Sequence, residues 1–313
     1  MSIVEKAAEK LKALQPDSPA PPRIGDPPSA HEAPTIERLQ ERVQERMQER
    51  EQVEGTAEAA SPWHVDEAAL RRAGFLPIEE EAASRLADEV RRLKRPLLDN
   101  ATGKRAKPLA HAERIVVTSA IPGEGKTFTT VNLALSLARE PDFEVLLVDG
   151  DIPKSDVTRA LGLEGQPGLM DVLADEQCTP DDVIVYTDVP NLLVLPAGER
   201  HPLTSELFGG RRMEYVLEAL AGRNRRRLVV FDSSPLLATP ESPILASHMG
   251  QVVVVVAAGH TRQHELKSAL ESLDDSQYVG LMLNMSRLPA IENHYYSHYG
   301  QPSHYSPYQL QNH

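Results

Sequence analysis

The segment Ala120-Ile-Pro-Gly-Glu-Gly-Lys126-Thr127 stands between the apolar run RIVVTS and the helical pattern TFTTVNLALSLARE. A phosphate chain needs many donors without steric obstruction, and glycines at the start of a helix present backbone N–H groups at the positive end of its dipole. The backbone from Gly123 through Glu124, Gly125 and Lys126 to Thr127 forms such a cradle. Lys126 reaches the terminal phosphates and the Thr127 hydroxyl ligates magnesium. Ala120 stands where the general phosphate-loop pattern has its first glycine, so GEGKT carries the match. Three carboxylates follow apolar runs: Asp149 and Asp151 after FEVLLV, and Asp232 after RLVVF. Open α/β sheets bind ligands at such strand ends. There a carboxylate holds magnesium or its water ligands, or orients and deprotonates an attacking hydroxyl. This order of motifs predicts ATP binding with magnesium and leaves the destination of the γ-phosphoryl group open.

The elements that must position these residues are legible from Glu113 onward. The runs RIVVTS, FEVLLVD, NLLVLPAG, RLVVFD, QVVVVVAA and YVGLMLN alternate with helical periods. Continuous apolar runs separated by helices mark a parallel sheet covered on both faces. The expected fold class is α/β, a P-loop NTPase-type, doubly wound, mostly parallel sheet. Upstream, Ile3, Val4, Ala7, Ala8, Leu11 and Leu14 repeat at helical spacing, and Pro16 to Pro34 holds seven prolines, which reads as a short helix and a flexible linker. Ile36, Leu39, Val43 and Met47 form a narrow stripe on a second, polar helix. A third helical pattern, from about Glu79 to Leu93 and ending at Pro96, carries Glu89, Arg92 and Arg95, with a basic loop expected up to Lys107. The domains read as 1–78, helices and linker; 79–288, the nucleotide-binding domain; and 289–313, a tail whose scarcity of aliphatic side chains predicts disorder.

Composition narrows the function. Lys+Arg 33 against Asp+Glu 46 gives a net charge of −13, and the basic residues are not interleaved with aromatics, which argues against a nucleic-acid groove. The run Arg223 to Arg227 reads as an exposed helix-to-strand loop. The single cysteine, Cys178, forms no intrachain disulfide and points to a reducing compartment, the cytoplasm. The longest apolar run, Gln251 to Gly259, is far short of the ~20 residues of a membrane helix. The N-terminus has no continuous apolar stretch, so the mature protein is expected to start near Met1.

These motifs resemble the bacterial protein-tyrosine kinases, the BY-kinase family, over about Glu89 to the C-terminus. TSAIPGEGKT is similar to that family's phosphate loop, Asp149-Gly150-Asp151 to its DxD, and Asp232-Ser233-Ser234-Pro235 to its DxPP. Two departures stand out: Pro153 where the family usually has arginine, and Ser234 in place of the first proline. The overall layout most resembles the exopolysaccharide-locus autokinases associated with exosortase systems. Partition and septum-site ATPases share the fold, but they carry an extra lysine near the start of the loop, where this chain has Ile121.

The resemblance implies roles. Lys126, Asp149, Asp151 and Asp232 are expected to be catalytic. Gly123, Glu124, Gly125, Lys126, Thr127, Phe128 and Asn284 would bind ATP, with Asn284 at the adenine edge. Thr127, Asp151 and Asp232 would hold magnesium, and Asp149 would accept the proton of the incoming tyrosine. Glu89, Arg92 and Arg95 fit the family's E-x-x-R-x-x-R helix, which implies a ring-like homo-oligomer. Five of eight tyrosines, Tyr295, Tyr296, Tyr299, Tyr305 and Tyr308, lie in the last 19 residues. They are expected phosphoacceptors, modified in trans at high effective concentration. The neighbouring histidines also allow weak metal binding. The resemblance further implies a separate transmembrane activator of the chain-length-determinant type, recruitment to the inner face of the cell membrane, and a cognate tyrosine phosphatase. The alternatives are a partition-type ATPase acting as a nucleotide-switched assembly factor, and a scaffold that only binds nucleotide.

Overall fold

The computed structural model describes residues 61–75, 85–104, 108–221 and 227–286. The N-terminal helical patterns, the Pro-rich linker and the five tail tyrosines lie outside the described residues. The sheet domain begins at Ser61.

Seven strands form one sheet: β1 (Arg114–Ser119), β2 (Glu144–Gly150), β3 (Val185–Tyr186), β4 (Leu192–Leu195), β5 (Arg227–Ser233), β6 (Gln251–Ala257) and β7 (Tyr278–Asn284). Their spatial order is β3-β4-β2-β5-β1-β6-β7, parallel except for the β3–β4 pair. The six apolar runs read from the sequence are the six long strands. Successive side chains point to opposite faces, so each inner strand feeds two cores. Val116, Val148, Phe231 and Val254 share one core. Ile115, Val117, Leu147, Val230 and Val253 share the other.

The first core is closed by α5 (Leu169–Ala174), α8 (Arg211–Leu220), α9 (Glu241–Ser247) and α10 (Gln263–Leu270) through Met170, Val216, Leu245 and Ala269. The second is closed by α1 (Glu67–Arg72), α2 (Arg85–Ala101), α3 (Lys126–Ala138) and α4 (Asp156–Ala160) through Leu70, Leu97, Leu133 and Val157. Two short helices, α6 (Pro180–Val183) and α7 (Thr204–Phe208), complete the chain order. The sheet is doubly wound, with helices on both faces. Among the described residues no helix is long and apolar enough to cross a membrane.

Two expectations are corrected. Helix α2 does not stop at Pro96 but runs through it to Ala101, which also turns part of the expected basic loop into helix. An interior proline removes one helical hydrogen bond and costs ~3 kcal/mol or more. The turn beyond it is held from outside: Leu97 is buried in the second core, Asn100 Nδ2 donates to Gln251 Oε1 at 2.6 Å, and Gln251 Nε2 donates to the Leu97 carbonyl at 3.2 Å. The second concerns residues 61–75, grouped with the helices and linker of residues 1–78, which lie on the sheet domain. Trp63 exchanges backbone hydrogen bonds with Tyr186 and Asp188 beside β3, its indole N–H donates to the Leu161 carbonyl at 3.0 Å, and Val65 and Leu70 are buried.

Candidate active site

Parallel pairing brings the C-terminal ends of β1, β2, β5, β6 and β7 to one edge of the sheet, and every expected nucleotide-site residue sits there or on the first turn of α3. The loop after β1 turns into α3 through Gly123 at φ 85° and Gly125 at φ 91°. At Gly125 space matters as well as φ, because a Cβ would come within 2.2 Å of Asn284 Nδ2. Asn284, at the end of β7, donates from that amide to the Glu124 carbonyl at 2.9 Å and so lies directly on the loop.

Glu124 points inward. Its carboxylate is fully buried, accepts the Ile121 N–H at 2.8 Å and the Thr261 hydroxyl, and lies 3.4 Å from the Ala257 N–H. It ties the loop to the end of β6. Ile121, at the position of the partition ATPases' extra lysine, packs against the first core.

The acidic residues cluster because of register. Asp149 and Asp232 are directly opposite each other on β2 and β5. Asp232 accepts the Thr127 hydroxyl at 2.7 Å and the Thr130 hydroxyl at 2.9 Å, which fixes it against the first turn of α3. Asp149 Oδ2 accepts both the backbone N–H of Thr158 at 2.8 Å and its hydroxyl at 2.7 Å, while Asp149 Oδ1 is buried with no hydrogen-bond partner. Asp151 accepts the Ser234 hydroxyl at Oδ1, at 2.8 Å, and its Oδ2 lies 3.6 Å from Lys126 Nζ.

Electrostatics follow from this crowding. Burial pushes Asp149 up to about 6 against the opposing hydrogen bonds from Thr158. Burial first, and then the charge of Asp149, push Asp232 up to about 7, with Lys126, Thr127 and Thr130 pulling the other way. A cation bound between them would relieve both.

The donors fit magnesium and a phosphate chain. The Thr127 hydroxyl and the carboxylates of Asp151 and Asp232 are hard oxygen donors of the kind magnesium takes, and Asp149 Oδ1 and Asp151 Oδ2 are buried oxygens without a hydrogen bond. No group of three or more His, Cys, Asp or Glu among the described residues is arranged to hold a metal by itself. That suits magnesium, which keeps waters and shares its shell with substrate phosphates.

Other expected residues sit apart. Glu89, Arg92 and Arg95 are exposed along α2. Pro153 gives its carbonyl to the Arg200 guanidinium, so an arginine from another loop contacts the place where the family's arginine usually stands. Of the RNRRR run only Arg227 is described, and its Nε pairs with Glu144.

The sequence reading missed Thr130, Thr158 and Phe75. Thr130 lies one helical turn after Lys126, a spacing that could have flagged it. Thr158 is nine residues past Asp149 and carries no signal without the fold. Phe75 stacks on Phe128 with ring centroids 5.4 Å apart, across 53 residues of chain.

Residues 112–277, more than half of the chain, match the AAA domain family AAA_31. Over 189 residues the chain is 32% identical to the tyrosine-protein kinase YwqD of Bacillus subtilis (strain 168), covering 59% of this chain and 77% of that protein. Over 203 residues it is 30% identical to the tyrosine-protein kinase CpsD of Streptococcus agalactiae, covering 64% and 84%. The kinase domain of the Escherichia coli tyrosine kinase ETK superposes with a TM-score of 0.59 at 24% identity, over 69% of this chain and 82% of that one, a likeness of fold. The matched span holds the phosphate loop and all three strand-end carboxylates, and both bacterial kinases align over most of their length. This chain therefore belongs to the AAA-domain family and to the bacterial tyrosine-protein kinases.

Proposed function

We propose that this chain is an ATP-dependent protein-tyrosine autokinase that modifies its own C-terminal tyrosine cluster in trans and regulates exopolysaccharide polymerisation and export. The observation that carries the reading is the meeting of a phosphate loop with two buried carboxylate oxygens, Asp149 Oδ1 and Asp151 Oδ2, that have no hydrogen-bond partner.

Phosphoryl transfer is chiefly positioning and charge neutralisation. The backbone of Gly123 to Thr127 cradles the phosphates. Lys126 leaves Asp151 to neutralise charge on the γ-phosphoryl group. Thr127 and Asp151 would hold magnesium, supported by Asp232, and Asn284 would meet the adenine edge. Magnesium supplies charge neutralisation at the phosphates. Asp149 takes the tyrosine hydroxyl proton at Oδ1, since its other oxygen is committed to Thr158. A base pushed up to about 6 keeps its charge at neutral pH and still attracts a proton better than an ordinary aspartate.

The acceptors are Tyr295, Tyr296, Tyr299, Tyr305 and Tyr308, presented to a neighbouring subunit in a ring whose contacts include Glu89, Arg92 and Arg95. Each phosphate adds roughly −1.5 to −2 charges to a chain of net charge −13. Heavy phosphorylation therefore loosens the ring, and a cognate phosphatase resets it. A separate transmembrane activator of the chain-length-determinant type recruits the cytoplasmic kinase to the inner face of the membrane.

Mass spectrometry of the full chain, after phosphatase and then ATP with magnesium, tests this. Phosphate is expected on the tail tyrosines of the wild type and on none of them in Lys126→Met. Wild-type protein that hydrolyses ATP without labelled tyrosine, with and without fragments of the membrane activator, would overturn it in favour of a nucleotide-switched ATPase.

A further inference from the structure

Ser234 occupies the position where the resemblance expects a proline, and the side chain that differs is the one touching Asp151. The residue is 4% exposed, and its hydroxyl donates to Asp151 Oδ1 at 2.8 Å. Proline has no side-chain donor, so this bond is a property of the serine.

The serine is itself fixed from two sides. Its carbonyl accepts Thr118 Oγ1 of β1 at 3.0 Å and Ser242 Oγ of α9 at 2.6 Å. Two elements therefore hold the backbone from which the Ser234 hydroxyl is aimed. A carboxylate anchored at one oxygen cannot rotate freely, and its second oxygen points one way. Here the second oxygen is Asp151 Oδ2, buried, without a hydrogen bond and 3.6 Å from Lys126 Nζ.

We propose that Ser234 is a positioning residue for the divalent cation: it anchors Asp151 Oδ1 and so presents Oδ2 to the metal that accompanies the nucleotide. The role is indirect, through Asp151, and rests on the metal-dependent phosphoryl-transfer reading above. Partners that orient a metal ligand are worth about 10–100-fold in metal affinity or activity when removed.

The test is a binding measurement on the full chain, with a fluorescent ADP analogue titrated in EDTA and then against magnesium chloride. Ser234→Ala is expected to bind the analogue as the wild type does in EDTA, and to need about 10–100-fold more magnesium for half of the metal-induced change. Ser234→Thr, which keeps the hydroxyl, should restore a wild-type requirement. Ser234→Cys keeps the volume with a weak donor and should fall between them, which keeps the test alive if the alanine variant does not fold. A wild-type magnesium requirement in the alanine or cysteine variant overturns the role of Ser234 alone. Wild-type protein whose nucleotide affinity ignores magnesium overturns the metal-dependent reading together with it.

Discussion

Asp149 and Asp232 face each other across β2 and β5 as register partners, both with no measurable exposure to solvent. Burial is the main cost of ionising either one, and a like charge adds to it, Asp151 acting on Asp149 and Asp149 on Asp232. Both are therefore held above the usual aspartate range, at about 6 and about 7.

A group that keeps its proton more tightly when folded stabilises the fold at low pH and loses that contribution as pH rises through the folded value. The ligand-free protein is expected to lose stability between about pH 4 and pH 7, at up to ~1.4 kcal/mol per pH unit for each group. Urea unfolding at pH 5, 6, 7 and 8 measures the slope. Asp232→Asn should flatten it and leave the protein more stable than wild type at pH 8.

Gly125→Ala places a side chain at φ 91°, and its Cβ meets Asn284 Nδ2 at 2.2 Å. The left-handed backbone alone costs roughly 1–2 kcal/mol. Nucleotide affinity should fall on the order of 10-fold or more. Adding Asn284→Ala should not restore it, since the clash is relieved but the φ strain remains and the adenine-edge contact is lost as well. Equilibrium binding of ADP to the two variants decides this.

Thr158→Val keeps the shape and removes the hydroxyl that donates to Asp149 Oδ2 and accepts the Ala197 N–H at 3.0 Å. Leaving a buried carboxylate oxygen short of a donor costs about 1–3 kcal/mol, visible in urea unfolding at pH 8. Because hydrogen bonds to the charged form lower a carboxylate's pKa, their loss should also move the acidic limb of the phosphorylation rate to higher pH.

Arg92 and Arg95 are exposed on α2, so replacing both with alanine should leave stability within about ±0.5 kcal/mol each. If the exposed face of α2 joins subunits, sedimentation of the double variant will show smaller species while ADP binding is unchanged. An unaltered sedimentation profile would remove these arginines from the interface.

The six long strands were legible because each is a continuous apolar run, and so were the loop and the carboxylates at the strand ends. Strand β3 escaped because two residues, Val185 and Tyr186, leave no period to read. Helix α2 overran Pro96 because Leu97 and the Asn100–Gln251 pair, 151 residues apart, outweigh a local rule. The same limit hid Thr158 and the Asp151–Ser234 bond: which hydroxyl supports which carboxylate is decided by strand order. Ser234 was visible only as a departure from a pattern, and its donor role emerged when β5 was placed beside β2.

The strip from Trp63 to Phe75 bears on where the catalytic unit can be cut. It lines the β3 end of the sheet with main-chain hydrogen bonds, buries Val65 and Leu70, and finishes with an aromatic ring on Phe128, two residues after Lys126. A recombinant fragment opened at residue 79 would discard all of this and bare both an unpaired strand edge and the flank of the phosphate-binding helix. A fragment that keeps this strip begins at Ser61.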